Sequence, residues 1–137
     1  MKVSELEGAE LDYWVSRANN FNAIICTRQN RREFSLGDPR IGQCYIRLGG
    51  PESEYSPSTK WGEGGPIMER EKIHLFYCGK KKLWFAADKD GFDIYDYYDS
   101  SYIDTSFCQS GSTVLIAAMR CFVVSKFGDE INERKSA

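Results

Sequence analysis

The feature that most constrains the fold is an apolar segment near the C-terminal end of the chain, from Thr113 to Gly128. Four of its side chains recur at the spacing of one helical face: Leu115, Ala118, Met119 and Phe122. Ser112 is placed to cap the start of this helix, and Gly128 to end it in a left-handed conformation. Because polar positions are so few, we expect the helix to be buried on most sides, packed against a sheet.

A second helix is predicted to begin near Ser4. Ser4 and Glu7 have the spacing of a capping box, in which each side chain accepts a hydrogen bond from the backbone N–H of the other residue. A helical stripe of apolar residues follows: Leu11, Trp14, Val15 and Ala18. Asn19-Asn20 is expected to end the helix, since asparagine tolerates turn conformations.

The middle of the chain has strand patterns separated by turn residues. Strands are predicted over 22–27, over 43–48 with Cys44, Ile46 and Leu48 on one face, and over 73–77 and 83–87 as a hairpin around a lysine-rich turn. Asp90-Gly91 predicts another tight turn, with a further strand after it. Pro66 is expected in the first turn of a short helix that continues to Lys72.

These elements predict an α+β fold, with an antiparallel sheet of three to five strands packed by the N- and C-terminal helices. The 137 residues suit a single domain over 1–137, because two independent cores would be unusually small. Residues 130–137 are strongly charged and are expected to form a flexible tail.

Composition excludes several classes of protein. A formal net charge of −2 argues against a broadly basic nucleic-acid binder, although a local basic patch stays possible. No apolar run approaches the ~20 residues of a membrane span. The first residues lack the apolar core of a signal peptide, so we expect a cytoplasmic protein that binds no membrane.

The cysteine and histidine patterns argue against several kinds of metal-binding, redox and catalytic site. The chain has five cysteines and no Cys-x-x-Cys pair, which argues against a zinc ribbon or a thioredoxin-type motif and favours reduced thiols. His74 is the one histidine, and strand alternation places it opposite Ile73, Leu75 and Tyr77, facing solvent. We therefore predict no catalytic, cofactor-binding or metal-binding residues.

Two short motifs resemble ligand loops. Gly62-Glu63-Gly64-Gly65-Pro66 could offer backbone N–H groups to a phosphate, but it lacks the lysine of a P-loop, and a structural turn is the favoured interpretation. Asp88 to Asp93 superficially resembles a calcium loop. Its glycine falls fourth rather than sixth, so a simple turn is favoured there as well.

Two segments are candidate binding surfaces. A long irregular segment contributes Tyr55, Ser58, Thr59, Trp61, Glu69 and Arg70, which could contact a ligand or partner. The alternative is that its large side chains anchor the segment to the core. The stretch over 88–107 has a local charge of −5 and contributes Tyr95, Asp96, Tyr98 and Asp99 as a candidate acidic-aromatic surface for a basic protein. The alternative there is a solvated strand edge.

Three blocks of sequence resemble the NinX-like family of phage and prophage proteins. They are Ser4-Glu5-Leu6 with Gly8-Ala9 and Leu11-Asp12; Tyr55-Ser56-Pro57-Ser58-Thr59 with Trp61, Gly64-Gly65-Pro66-Ile67 and Glu69-Arg70-Glu71; and Leu115 to Val123 with Ser125-Lys126 and Gly128-Asp129-Glu130. The resemblance implies a small phage-derived cytoplasmic protein with an α–β–α sandwich-like fold, and it brings no catalytic residue. Lys60 stands where the family usually has an aspartate that could cap a helix, and the acidic stretch over 88–107 also departs from the family pattern.

The leading functional hypothesis is a non-enzymatic accessory protein that binds a phage or host protein. The alternative is a small-ligand or nucleotide-binding protein that uses the segment from Tyr55 to Arg70. A third hypothesis places weak nucleic-acid binding on the arginines between residues 28 and 40, where the local charge is +2. The overall acidity makes a nucleic-acid partner unlikely.

Overall fold

Residues 1–88 and 108–132 are described in the computed structural model, and they form three α-helices and six β-strands. The predicted strand after Asp90-Gly91, the acidic-aromatic surface and most of the predicted tail lie outside these residues. In chain order the elements are α1 (Gly8–Ala18), β1 (Asn22–Ile25), β2 (Cys44–Arg47), β3 (Ser53–Glu54), α2 (Trp61–Glu71), β4 (His74–Cys78), β5 (Leu83–Ala87), β6 (Gln109–Gly111) and α3 (Val114–Phe127). A single turn of 3-10 helix, Val3–Glu5, precedes α1.

The described strands form two antiparallel sheets of three strands each, in the orders β1-β2-β3 and β4-β5-β6. In the first sheet Ile25 lies opposite Cys44, and in the second Tyr77 lies opposite Trp84. The α+β class is thus confirmed, and so is the predicted hairpin. In the chain the two sheets are separated by α2, which lies between β3 and β4 and packs against α3.

Helix α3 lies at the centre of the core, as its apolar pattern predicts. Seven of its fourteen residues are buried: Leu115, Ala117, Ala118, Met119, Cys121, Phe122 and Val123. It packs against α1, α2 and the strands of the second sheet. Thr113, rather than Ser112, caps the helix, because its side-chain oxygen accepts the Ile116 N–H at 3.2 Å. Gly128 ends the helix with a φ of 83°.

The start of α1 differs from the prediction. Ser4 belongs to the 3-10 turn, and Glu7 precedes α1 without a side-chain cap hydrogen bond, so the predicted capping box is wrong. Val3 and Leu6 are fully buried, which forces the chain into the core before the helix can begin. Gly8 then has a φ of 58°, a conformation that glycine adopts without steric cost. Of the predicted stripe on α1, Leu11, Trp14 and Val15 are buried, and Ala18 is partly buried against the same core.

Two further predictions are wrong in detail. Helix α2 begins at Trp61, so the glycine-rich motif is helical rather than a turn and Pro66 lies inside the helix. Pro66 has no N–H to donate to the carbonyl of Gly62, four residues earlier in the first turn of α2. Leu48 is 65% exposed and does not share the buried face of Cys44 and Ile46, since β2 ends at Arg47.

Candidate functional site

The segment that leads into α2 is held in the fold through its backbone. Tyr55, Ser56, Pro57 and Ser58 are all buried. The backbone N–H of Ser58 donates to Oδ1 of Asp12 at 2.8 Å, and the backbone N–H of Ser56 donates to Oε1 of Glu63 at 2.9 Å. Carboxylates are strong acceptors, so these two bonds fix the chain just before α2 begins. We call this pair of bonds the carboxylate clamp.

Asp12 is an unusual member of the carboxylate clamp because it is only 4% exposed. Burial raises the pKa of Asp12 to about 6; contacts with Ser58 oppose that change, and the nearby charges of Glu63 and Glu54 add to it. The hydroxyl of Ser58 is buried with no well-oriented hydrogen-bond partner in the described parts of the chain. A protonated Asp12 carboxyl would place a donor beside this hydroxyl.

Tyr55 anchors the same segment from the other side. Its ring makes an edge-to-face contact with Phe21, with centroids 5.6 Å apart, and Nδ2 of Asn19 donates to its hydroxyl at 3.4 Å. Burial raises the pKa of Tyr55 to about 12, so its hydroxyl stays neutral near pH 7. Tyr55 and Ser58 therefore lie inside the fold and do not belong to its outer surface.

Trp61 lies on the outside of the fold, although it is the first residue of α2. Its side chain is 59% exposed, and the neighbouring positions are small or polar. A Cβ atom on Gly65 would lie 4.0 Å from the Trp61 ring, which shows that the ring rests over that glycine. We call the exposed group around this ring the Trp61 surface: Thr59, Lys60, Trp61, Gly62 and Pro66.

The last turn of α2 has a different environment. Arg70 donates to Oδ1 of Asn19 at 2.8 Å and to Oε2 of Glu71 at 2.8 Å, and its guanidinium lies 5.4 Å from the ring centroid of Phe122. Arg70 thus ties α2 to α1 and α3, whereas Glu69 is exposed. Glu69 lies eight positions after Trp61 in α2, which corresponds to roughly 12 Å along the helix axis. The two ends of α2 therefore do not meet in one site.

Three of the clefts lined by described residues lie on different parts of the fold, and none of the three is lined by Tyr55, Ser58, Thr59, Trp61, Glu69 or Arg70. The first, of about 240 Å³, lies between α2 and α3 and includes Glu71 and Lys126. The second, of about 300 Å³, lies on the first sheet and includes Arg31, Arg47 and Glu52. The third, of about 330 Å³, lies beside the N-terminal segment. None of these three clefts is therefore lined by the six candidate residues of the predicted small-ligand segment.

The arginines between residues 28 and 40 are partly neutralised by carboxylates of the same chain. Arg31 pairs with Glu52. Arg40 pairs with Asp38 at 2.7 Å, which lowers the pKa of Asp38 to about 2, and its guanidinium stacks 3.8 Å from the centroid of the Phe34 ring. These pairs reduce the positive charge that this region could offer to a nucleic acid.

Across 1–88 and 108–132, no group of three or more histidine, cysteine, aspartate or glutamate side chains is arranged to hold a metal ion. No helix in this part of the chain is long and apolar enough to cross a membrane.

Comparison with known families matches residues 2–126 to the family described as bacteriophage P22, NinX. The chain belongs to this family. No curated protein matches it. The NinX match spans all the elements from α1 to the last turn of α3, including the carboxylate clamp and the Trp61 surface, and it establishes a phage-derived protein.

The family aspartate that Lys60 replaces falls at the N-terminal boundary of α2. Lys60 occupies the N-cap position, with φ −112° and ψ 117°, and makes no side-chain cap hydrogen bond. Sequence reasoning missed the clamp residues Asp12 and Glu63, although Asp12 stands out as a charged residue beside the buried stripe of α1.

Proposed function

We propose that this NinX-family protein is a non-enzymatic accessory protein that binds a phage or host protein through the Trp61 surface. The observation that carries the proposal is the 59% exposure of Trp61 at the start of a helix whose approach segment is fixed by the carboxylate clamp. A tryptophan that the fold does not need to bury is available to a partner.

The Trp61 surface is suited to binding because it combines a large side chain with a fixed position. Tryptophan is among the side chains that contribute most when buried at the centre of an interface. The Trp61 surface is also held in position before a partner arrives, because α2 is tied to α1 and α3 through Arg70 and through the clamp. A surface that is already ordered loses little conformational entropy on binding.

The small neighbours of Trp61 fit the same role. Gly62 is exposed and has no side chain, and the indole ring rests over Gly65, so a partner could approach the helix backbone closely at Gly62 and enclose the ring. Lys60 adds a positive charge at the edge of the surface, where charges affect partner selection more than affinity. We expect a partner with an apolar pocket bordered by acidic groups.

A capture experiment from lysate of phage-infected bacteria tests the proposal. The full chain carries a photo-crosslinking phenylalanine derivative at position 61, and crosslinked proteins are identified by mass spectrometry. Position 48 provides the control, because Leu48 is also a large exposed apolar residue but lies on the first sheet. We expect one phage or host protein to crosslink from position 61 and not from position 48.

Purified partner and protein then give the quantitative test. Trp61→Ala should weaken binding by 2 kcal/mol or more, roughly thirtyfold, while Leu48→Ala should change it by less than twofold. Both variants are expected to unfold at the same temperature as the parent because both side chains are exposed. Equal affinity of the Trp61→Ala variant for the crosslinked protein would rule the surface out.

A further inference from the structure

The hairpin of β4 and β5 carries a second exposed aromatic group. It belongs to the second sheet, whereas the first sheet leads into α2. Tyr77 and Trp84 lie directly opposite each other, with ring centroids 5.2 Å apart and planes inclined at 58°. Tyr77 is 52% exposed, and Trp84 is half-buried against the core beside Leu75 and Ala86. Because Trp84 supports it from one side, the Tyr77 ring is held with its remaining surface toward solvent.

Three lysines form the turn next to this aromatic pair. Lys80, Lys81 and Lys82 are all exposed, and none of them has a carboxylate within ion-pair distance in the described ranges. The Lys82 N–H donates to the Cys78 carbonyl at 2.8 Å, so the turn is closed, and Lys81 Nζ lies 5.5 Å from the centroid of the Phe85 ring. Within residues 1–88 and 108–132, the charge of +3 on the turn is therefore not paired with a carboxylate.

We infer that this hairpin, Tyr77 to Trp84, is a binding site for single-stranded nucleic acid. A base would stack on the exposed Tyr77 ring while the backbone phosphates on either side contact the lysines. Stacking on aromatic side chains next to a positively charged path is the usual means by which proteins bind single strands without regard to sequence. The inference rests on different residues from the Trp61 surface and does not depend on it.

The same features disfavour a duplex. Bases in a duplex are stacked on one another and cannot reach an isolated tyrosine ring, so only the lysines would contribute. Three lysines and an overall charge of −2 give little affinity for a long duplex. The local charge of the hairpin explains how a site for nucleic acid can exist on an acidic protein, where composition alone makes such a partner unlikely.

Fluorescence anisotropy with a labelled 20-nucleotide oligothymidylate, in about 50 mM salt, tests the inference on the full chain. Tyr77→Ala should weaken binding roughly tenfold or more, whereas Tyr77→Phe, which keeps the ring, should retain affinity within about twofold. The logarithm of the association constant should fall with the logarithm of salt concentration with a slope of about −2, as expected for three phosphate contacts on a single strand.

A matched pair of triple variants separates the local site from net charge. Lys80→Gln, Lys81→Gln and Lys82→Gln together should weaken binding at least tenfold. Lys2→Gln, Lys60→Gln and Lys72→Gln together change the net charge by the same amount at exposed positions outside the hairpin and should leave affinity within about threefold. Trp61→Ala should also leave it unchanged, so failure of this inference and failure of the proposed protein-binding surface are distinguishable.

Four results would overturn the inference. They are absence of binding to the oligonucleotide, equal losses in the two triple variants, equal affinity for a duplex of the same length, and tighter binding to anionic phospholipid vesicles that is lost in the same hairpin variants. The last result would assign the lysines and Tyr77 to a lipid surface instead.

Discussion

At the scale of single residues, Asp12 has the most distinctive environment in the described structure. A carboxyl group buried to this degree is disfavoured in its charged form, and only a good set of donors makes the charge tolerable. The Ser58 backbone N–H supplies one such donor at 2.8 Å. Burial thus favours the neutral form of the Asp12 carboxyl, whereas the Ser58 N–H favours the charged form. We therefore expect Asp12 to be protonated within an experimentally accessible pH range.

Because the pKa of folded Asp12 is raised from 3.8 to about 6, the folded state binds more protons than the unfolded state between these values. This contribution to the free energy of unfolding is largest below about pH 4 and is lost as pH rises through 6. The full difference is on the order of 3 kcal/mol. Asp12→Asn removes the titrating group and keeps an oxygen acceptor for Ser58.

Urea unfolding at pH 7 and pH 5 measures this effect. The parent chain should gain stability at pH 5 relative to the Asp12→Asn variant, which is the internal reference for the other carboxyl groups. If the free energies of unfolding of parent and variant change in parallel between the two pH values, Asp12 does not titrate in this range.

At the scale of elements, α2 depends on a close approach between the helix and the segment before it. A Cβ atom on Gly64 would lie 2.3 Å from the Pro57 carbonyl oxygen and 2.7 Å from Cδ2 of Leu115. The carbonyl belongs to the backbone held by the carboxylate clamp, so it cannot move aside without breaking the bond from Ser58. Gly64 is thus required by packing, whereas Gly65 next to it is not.

Gly64→Ala should therefore lower the free energy of unfolding by about 2 kcal/mol or more, within the range measured for overpacking. Gly65→Ala is the matched control: its Cβ would make only an ordinary contact at 4.0 Å with Trp61, and alanine is the better helix former by up to about 1 kcal/mol. Chemical denaturation of the two variants measures both changes. A Gly64→Ala protein as stable as the Gly65→Ala protein would contradict the close approach.

The elements that sequence could predict are those with a strong internal pattern. The stripe of α3 and the hairpin of β4 and β5 follow from apolar spacing and turn residues within a few positions of each other. The start of α2 could not be predicted in this way, because three glycines lower local helix propensity and the helix depends on tertiary contacts such as the bond from Ser56 to Glu63 and the burial of Ile67. The division into two sheets depends equally on long-range packing.

The candidate site could also be predicted only in part from the sequence. Trp61 and Tyr55 could be singled out as large side chains in an irregular segment, but sequence gives no sign that one is exposed and the other buried. That difference follows from the carboxylate clamp, whose partners Asp12 and Ser58 are 46 positions apart. The pairing of Tyr77 with Trp84 depends on strand register, which the hairpin turn fixes.

At the scale of the whole molecule, the burial of the five cysteines indicates how completely the fold encloses its core. All five lie within the described residues and none forms a disulfide, and four of them are buried: Cys26, Cys44, Cys108 and Cys121. Burial raises the pKa of the Cys44 thiol to about 11 and that of the Cys121 thiol to about 12, which suppresses the reactive thiolate. Cys78 is half-buried on β4 and has the most accessible sulfur.

A thiol reagent such as a maleimide should therefore modify Cys78 first in the native protein at pH 7, with the other four reacting only on the timescale of unfolding. Peptide mass mapping during the reaction identifies the order. Cys78→Ser should abolish the fast reaction and leave the slow reactions unchanged. Fast modification of Cys44 or Cys121 would mean that the core around α1 or α3 opens far more often than its packing indicates.

The bond from the Ser58 amide to Asp12 also makes that amide proton a spectroscopic probe. A proton shared with a carboxylate resonates at a frequency that depends on the charge of its acceptor, so the Ser58 signal in a nitrogen–proton correlation spectrum should shift as Asp12 titrates. The signal of Ser56, which is bonded to Glu63, provides a neighbouring reference. Protonation of a single buried group could thus be followed without a mutation, one residue before the Trp61 surface begins.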